Sequence, residues 1–136
     1  MTENPTISVV AAIIMDSGRI LAVQRAKGQF KDWWEFPGGK IENGEGMEDA
    51  LRREILEELV IHVKIENHFD HVEFDYDCFH LSMDCFICTI VGGCLTLTEH
   101  KNARWLGYNE LDGVNWLPAD LDVIEKLKTY LKQYII

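Results

Sequence analysis

The sequence predicts a single α/β domain in which a mixed β-sheet lies between two helices. Three observations predict it. Short alternating or continuous apolar runs recur along the chain at strand length. Two segments, one internal and one terminal, instead carry apolar residues at helical spacing. The chain has 136 residues, and domains commonly hold roughly 100–150.

Taken in order, Ser8 to Met15 reads as a buried strand, followed by an Asp16-Ser17-Gly18 turn and a second strand, Ile20 to Gln24. Arg25 to Asp32 is polar, with Lys27, Gly28 and Lys31, and reads as a loop. A short aromatic strand, Trp33 to Phe36, meets a break at Pro37-Gly38-Gly39. Asn43 and Gly44 form the turn before a helix running from Met47 to Leu59. Val72, Phe74 and Tyr76 then alternate with Glu73 and Asp75, and Leu81, Met83, Cys85 and Ile87 alternate in the same way. Gly92-Gly93 turns the chain into a strand at Cys94 to Thr98, and Asn102 to Gly107 gives another around Trp105. The last helix begins near Pro118, a residue suited to a first turn. Leu121, Ile124, Leu127 and Leu131 form its apolar stripe.

Composition narrows the function. Hydrophobic residues make up 47% and charged residues 26%, which excludes a disordered chain. Thirteen Lys and Arg against twenty-three Asp and Glu give a net charge of −10. Such a surface repels nucleic acid and anionic lipid, so neither is an expected partner. A phosphate ligand would need cations to mediate its contact. The longest apolar run, Val9 to Met15, is far shorter than the roughly 20 residues of a spanning helix. Met1-Thr2-Glu3-Asn4-Pro5 lacks the pattern of a secretory leader. The four cysteines are therefore expected as reduced thiols in the cytoplasm. Cys85 and Cys88 lie on a strand, where positions i and i+3 face opposite ways, so they are expected as buried thiols and not as half a zinc site.

The chemistry concentrates between Gly39 and Ile61. At about 100° per residue with Leu51 at zero, Met47, Ile55 and Leu59 fall near −40°, +40° and +80°, and make the core-facing stripe. On the same wheel Glu58 lies near −20°, inside the apolar arc, while Glu54 lies near −60° on its border and Glu57 near −120°. Like charges at i, i+3 and i+4 repel by a few tenths of a kcal/mol per pair. The last turn of a helix disfavours anions, and burial adds a desolvation penalty. A divalent cation removes all three objections. Oxygen donors without clustered His or Cys indicate a hard ion, Mg²⁺ with Mn²⁺ as the substitute. The contrasting reading is an acidic surface helix with no ligand.

Gly39, five residues, Glu45, seven residues, then Arg53-Glu54-Ile55-Leu56-Glu57-Glu58-Leu59-Val60-Ile61 resembles the signature of the Nudix family. Trp34-Glu35-Phe36-Pro37-Gly38-Gly39-Lys40-Ile41-Glu42 is similar to its MutT-type branch, and the likeness extends over nearly the whole chain. One position departs. The glycine that ends the signature helix is Val60 here, which predicts a different helix exit.

The resemblance implies a Nudix-type α/β/α sandwich and Mg²⁺-dependent cleavage of a nucleoside triphosphate to the monophosphate and pyrophosphate. It implies that Glu54, Glu57 and Glu58, with the Gly39 carbonyl, hold two or more cations, and that Glu54 is also a candidate proton acceptor. Arg53 would hold these carboxylates, and Glu45 would tie the loop to the helix. Lys40 and Arg25 are candidates for phosphate contact, with a solvated cation as the alternative for each. Glu99 is the first candidate for an acid outside the signature and Glu73 the second. The five histidines are assigned surface or loop roles, with His100 placed to reach the phosphates.

For the base, Phe36, Phe74 and Trp116 are candidate walls, with core packing as the alternative. Asp120, at the opening of the last helix, is either a base-reading acceptor or a helix cap. Glu99-His100 before Trp105, and Pro118-Ala119-Asp120, resemble the CTP pyrophosphohydrolase subgroup. That favours cytidine-type triphosphates, with 8-oxo-dGTP next. The contrasting functions are a non-catalytic nucleotide-binding regulator and a hydrolase of larger nucleotide derivatives. A monomer or a weak homodimer is expected.

Overall fold

The computed structural model describes residues 4–134. The leader assessment rests in part on residues 1–3, which lie outside the described residues. The strands are β1 (Thr6–Asp16), β2 (Arg19–Arg25), β3 (Trp34–Glu35), β4 (Gly38–Lys40), β5 (Ile61–Asp75), β6 (His80–Gly93) and β7 (His100–Leu106). The helices are α1 (Met47–Leu59) and α2 (Leu121–Leu131), with short 3₁₀ turns at Tyr108–Gly113, Pro118–Asp120 and Lys132–Tyr134.

The sheet runs in the order β3-β2-β1-β6-β5, with β4 added to β1 and β7 to β2. Strand β1 is parallel to β6 and antiparallel to β2 and β4, so the sheet is mixed. Val10 to Met15 are buried without interruption because β1 is covered on both faces. Ala11, Ile13 and Met15 join Ile124, Leu127 and Leu131 of α2. Val10, Ala12 and Ile14 join Leu51, Ile55 and Leu59 of α1. The expected sandwich is therefore present, and each fully buried Leu or Ile contributes about 1.5–3 kcal/mol. Cys85 belongs to the first core and Cys88 to the second, and both are free and buried.

Several local expectations need correction. Pro37-Gly38-Gly39 is not simply a break, because Gly38 to Lys40 pair with Ala11 to Val9 of β1. Gly38 is required there: its φ is +155°, and a Cβ would sit 2.0 Å from the Val10 carbonyl oxygen. Met47 is 45% exposed and not part of the stripe, since the first helical residue overhangs the sheet. Strand β5 begins at Ile61, well before the alternation starting at Val72, and three register shifts in its pairing with β6 obscure its period. Cys94 to Thr98 is not a strand but an irregular segment. Val60, predicted to force a different exit, takes the left-handed one (φ 58°, ψ 36°), with its N–H donating to the Leu56 carbonyl. A β-branched residue pays a steric penalty in that conformation.

Candidate active site

Arg53 organises the approach to the site. Its Nε and Nη2 donate to the two oxygens of Glu45 at 2.8 and 3.0 Å, a bidentate pair. Nη2 also donates to the Lys40 carbonyl at 3.0 Å, while Nη1 reaches Glu54 at 3.0 Å and Glu57 at 3.4 Å. Glu45 in turn accepts the backbone N–H of Glu42. One guanidinium thus fastens the loop between β4 and α1 to the helix, and the Arg53 pKa is raised, chiefly by its bond to Glu45. Gly39 completes the fit. A Cβ there would lie 2.4 Å from the Glu54 carboxyl carbon, so a larger residue would push that carboxylate away from where Arg53 holds it.

Beyond Arg53 the acids outnumber their partners. Glu58 is buried and its pKa is raised, first by desolvation and then by Glu54, Glu35 and Glu99. His100, whose side chain is also buried, donates from Nε2 to Glu35 at 2.9 Å. Its Nδ1 lies 3.6 Å from Glu58 and has no hydrogen-bond partner among the described residues. Arg25 Nη1 donates to the other Glu35 oxygen at 3.0 Å. Glu54, Glu57, Glu58 and Glu99 all line one cleft of about 910 Å³. Among the described residues no three side chains already close on a point in ligand geometry. The donor set nevertheless fits a hard divalent cation. It is carboxylate-rich, it contains a buried acid destabilised as an anion, and it borders an orphaned buried nitrogen.

The far end of the cleft is aromatic and closes on Asp120. Phe36 lines it and packs on Trp116 at 4.9 Å between centroids. Phe30, Tyr76 and Phe79 add walls, the last two stacked at 5.0 Å. The Tyr76 hydroxyl accepts the Ala119 N–H at 3.1 Å and so ties the end of β5 to the turn before α2. Asp120 stands at the N-cap of α2 without a side-chain cap bond, so the capping alternative does not hold. Burial, reinforced by Glu35, raises its pKa well above the carboxylate range. Ionised, Asp120 can only accept hydrogen bonds; protonated, its carboxyl both donates and accepts.

The cleft gathers Arg25, Phe36, Gly39, Lys40, Glu54, Glu57, Glu58, Glu99 and Asp120, while Arg53 reaches it through Glu54 and Glu57. It does not gather the second-choice acid, Glu73. That residue is half exposed on β5, where His71, His80 and Ser82 hold it. Phe74 and Trp116 pack into the core behind the cleft. The histidine assignment also changes. His68, His71 and His80 stand on strands and pair with acids, and His100 is buried in the site. Sequence reasoning missed Glu35 and Tyr76. The signal for Glu35 was a charged residue between Trp34 and Phe36 on an otherwise aromatic strand.

Known proteins resemble this chain in sequence and in fold. The NUDIX domain family matches residues 4–129. The 8-oxo-dGTP diphosphatase of Haemophilus influenzae is 31% identical, over 98% of this chain and 99% of that protein. The CTP pyrophosphohydrolase of Escherichia coli is 32% identical, over 88% of this chain and 89% of that protein. A solution structure of the DNA mismatch repair protein MutT from methicillin-resistant Staphylococcus aureus, a Nudix hydrolase, superposes with a TM-score of 0.73. It is 36% identical and covers 94% of this chain and 99% of that one. Among the described residues no helix is long and apolar enough to cross a membrane.

Proposed function

The chain belongs to the Nudix hydrolase family, and from that premise we propose that it is a Mg²⁺-dependent nucleoside triphosphate pyrophosphohydrolase releasing the nucleoside monophosphate and pyrophosphate. The single observation that carries this reading is the cleft itself. One end holds a buried, under-compensated set of carboxylates and the other an aromatic slot with a buried acid at its end. A negatively charged triphosphate fits such a cleft only with a cation between.

Glu54, Glu57, Glu58 and Glu99, with the Gly39 carbonyl, would hold the metal, for which Mn²⁺ would substitute. When bound, Mg²⁺ supplies Lewis-acid neutralisation of the phosphates and an acidified water. Arg53 fixes Glu54 and Glu57 against their mutual repulsion. It binds Glu54 through Oε1, and the Glu54 carboxylate would take the proton from the attacking water. Arg25 and Lys40, both lining the cleft, contact the outer phosphate oxygens.

Phe36, Tyr76 and Phe79 sandwich the base. A neutral Asp120 presents one donor beside one acceptor, which complements the ring nitrogen N3 and the exocyclic amine of cytosine. This supports CTP or dCTP as the leading substrate, with 8-oxo-dGTP next; relatives carrying each activity in their names match the chain. The decisive experiment is a panel of CTP, dCTP, 8-oxo-dGTP and dGTP with Mg²⁺, scored for pyrophosphate and orthophosphate. Pyrophosphate release with the highest kcat/KM on a cytidine nucleotide is expected. Orthophosphate as product, or nucleotide binding without turnover, overturns the reading, and the second outcome would point to a regulator.

A further inference from the structure

The last turn of α1 carries Glu57 and Glu58, and a helix end leaves its final carbonyls without intrahelical partners. Here every one of them is satisfied. Val60 N–H donates to the Leu56 carbonyl at 3.0 Å. Thr96 N–H donates to Leu59 at 2.9 Å, and Thr98 N–H to Glu58 at 3.1 Å. The remaining carbonyl, that of Glu57, is reached among the described residues only by a side chain: the Thr98 hydroxyl lies 2.8 Å from it and 3.1 Å from the Glu58 carbonyl. Its single proton is shared between the two. Thr98 is about 40 residues away in sequence from the helix turn it binds. It directly precedes Glu99, after which His100 enters β7 opposite Arg25 at a register shift.

We propose that Thr98 is a positioning residue: its hydroxyl clips the segment bearing Glu99 to the helix turn bearing Glu57 and Glu58, fixing the spacing between the two halves of the cation-binding set. The inference rests on the reading that these carboxylates hold a divalent cation. Its physical basis is the irregular backbone of residues 94–99, which lacks the ladder bonds that would otherwise fix Glu99. The Thr98 side chain is exposed, so its methyl contributes little packing and the hydroxyl is its main contribution. Val60 sharpens the requirement. A β-branched residue strains the left-handed exit of the same turn, and bonds from residues 96 and 98 hold that exit in place. Displacements of about 1 Å in a reacting constellation can lower rates by roughly 10²-fold.

The test compares Thr98→Val, which keeps the shape and deletes the hydroxyl, with Thr98→Ser, which keeps the hydroxyl. The first readout is Mn²⁺ binding to nucleotide-free protein, followed by electron paramagnetic resonance. The second is the division of any defect between kcat and the nucleotide KM. Thr98→Val is expected to weaken Mn²⁺ binding about 10-fold or more and to lower kcat while KM stays near wild type. Thr98→Ser is expected to restore both. Thr96→Val, whose hydroxyl bonds only the nearby Cys94 carbonyl, serves as the control and should bind Mn²⁺ as wild type does. A Thr98→Val protein that melts earlier but binds Mn²⁺ and turns over like wild type overturns the proposal and leaves the cation reading standing. Wild-type protein that neither binds Mn²⁺ nor cleaves any triphosphate overturns the cation reading and this proposal with it.

Discussion

Two acidic clusters occupy this molecule, one along β5 and β6 and one in the cleft. Along β5 and β6 each of these carboxylates meets a basic partner, on its own strand, on the neighbouring strand or on α2. Asp84 accepts from His68 and His71 at 2.8 Å, and Glu73 accepts from His71, His80 and Ser82. Asp75 accepts from His80 at 2.6 Å, and Asp70 from Lys126 at 2.6 Å. Glu73 is accordingly pulled down to about 2, first by His80 and then by Ser82. His71 and His80 rise, led by Asp84 and Asp75 respectively. In the cleft the same residue type moves the other way, and Glu58 and Asp120 rise because burial and neighbouring acids outweigh the available cations. The ladder along β5 and β6 staples an edge strand. The cleft holds fewer cations than acids, and that deficit, not acidity as such, marks the site.

The contrast is broken most severely at Glu57. Glu57→Gln is expected to lower Mg²⁺-supported turnover by roughly 10²–10⁴-fold with little change in melting temperature, and chelation of the metal should do the same to wild type. The matched change in the balanced cluster, Glu73→Gln, should leave turnover near wild type. Equal losses at the two positions would erase the distinction between the clusters.

Asp120 gives a smaller and different signature. Its folded pKa lies above its unfolded value, so its contribution to stability declines as pH rises from about 4 through the folded pKa. Asp120→Asn cannot ionise, and its melting temperature should gain on wild type between pH 5 and pH 8, by about 3–5 °C per kcal/mol recovered. Cytidine-nucleotide selectivity should fall at the same time. Parallel melting curves for the two proteins across that range would refute a buried neutral acid.

The smallest effect belongs to the ladder. His71 and His80 are raised above 6.5, so their contribution is fully present below that pH and is lost as pH rises through their folded values. Glu73, lowered from 4.5, contributes above 4.5 and is lost as pH falls towards 2. His80→Gln should therefore melt about 1–2 °C below wild type near pH 6 and converge with it at alkaline pH. A constant offset at all pH values would show that the imidazole charge plays no part.

Much of this was legible along the chain. The bounds of α1, Met47–Leu59, follow from a 3.6-residue period and a preceding turn, both local properties. Glu58 inside the apolar arc marks a buried acid from the helical period alone, and it is buried. The separation of Cys85 and Cys88 into different cores follows from strand alternation alone. The choice between Glu99 and Glu73 was not legible, because each is an acid close to a strand and only the sheet order puts one in the cleft and the other outside it. Nor was the Glu35–His100 contact, which joins residues 65 apart in sequence, or the bond from Thr98 to the carbonyl of Glu57. By itself the sequence determined the two helices, the first two strands and the acidic turn, since propensity and periodicity act within a few residues of a position. Which acids are compensated was decided only by the tertiary structure. Coulomb and desolvation energies depend on what lies within a few ångströms, whatever its place in the chain.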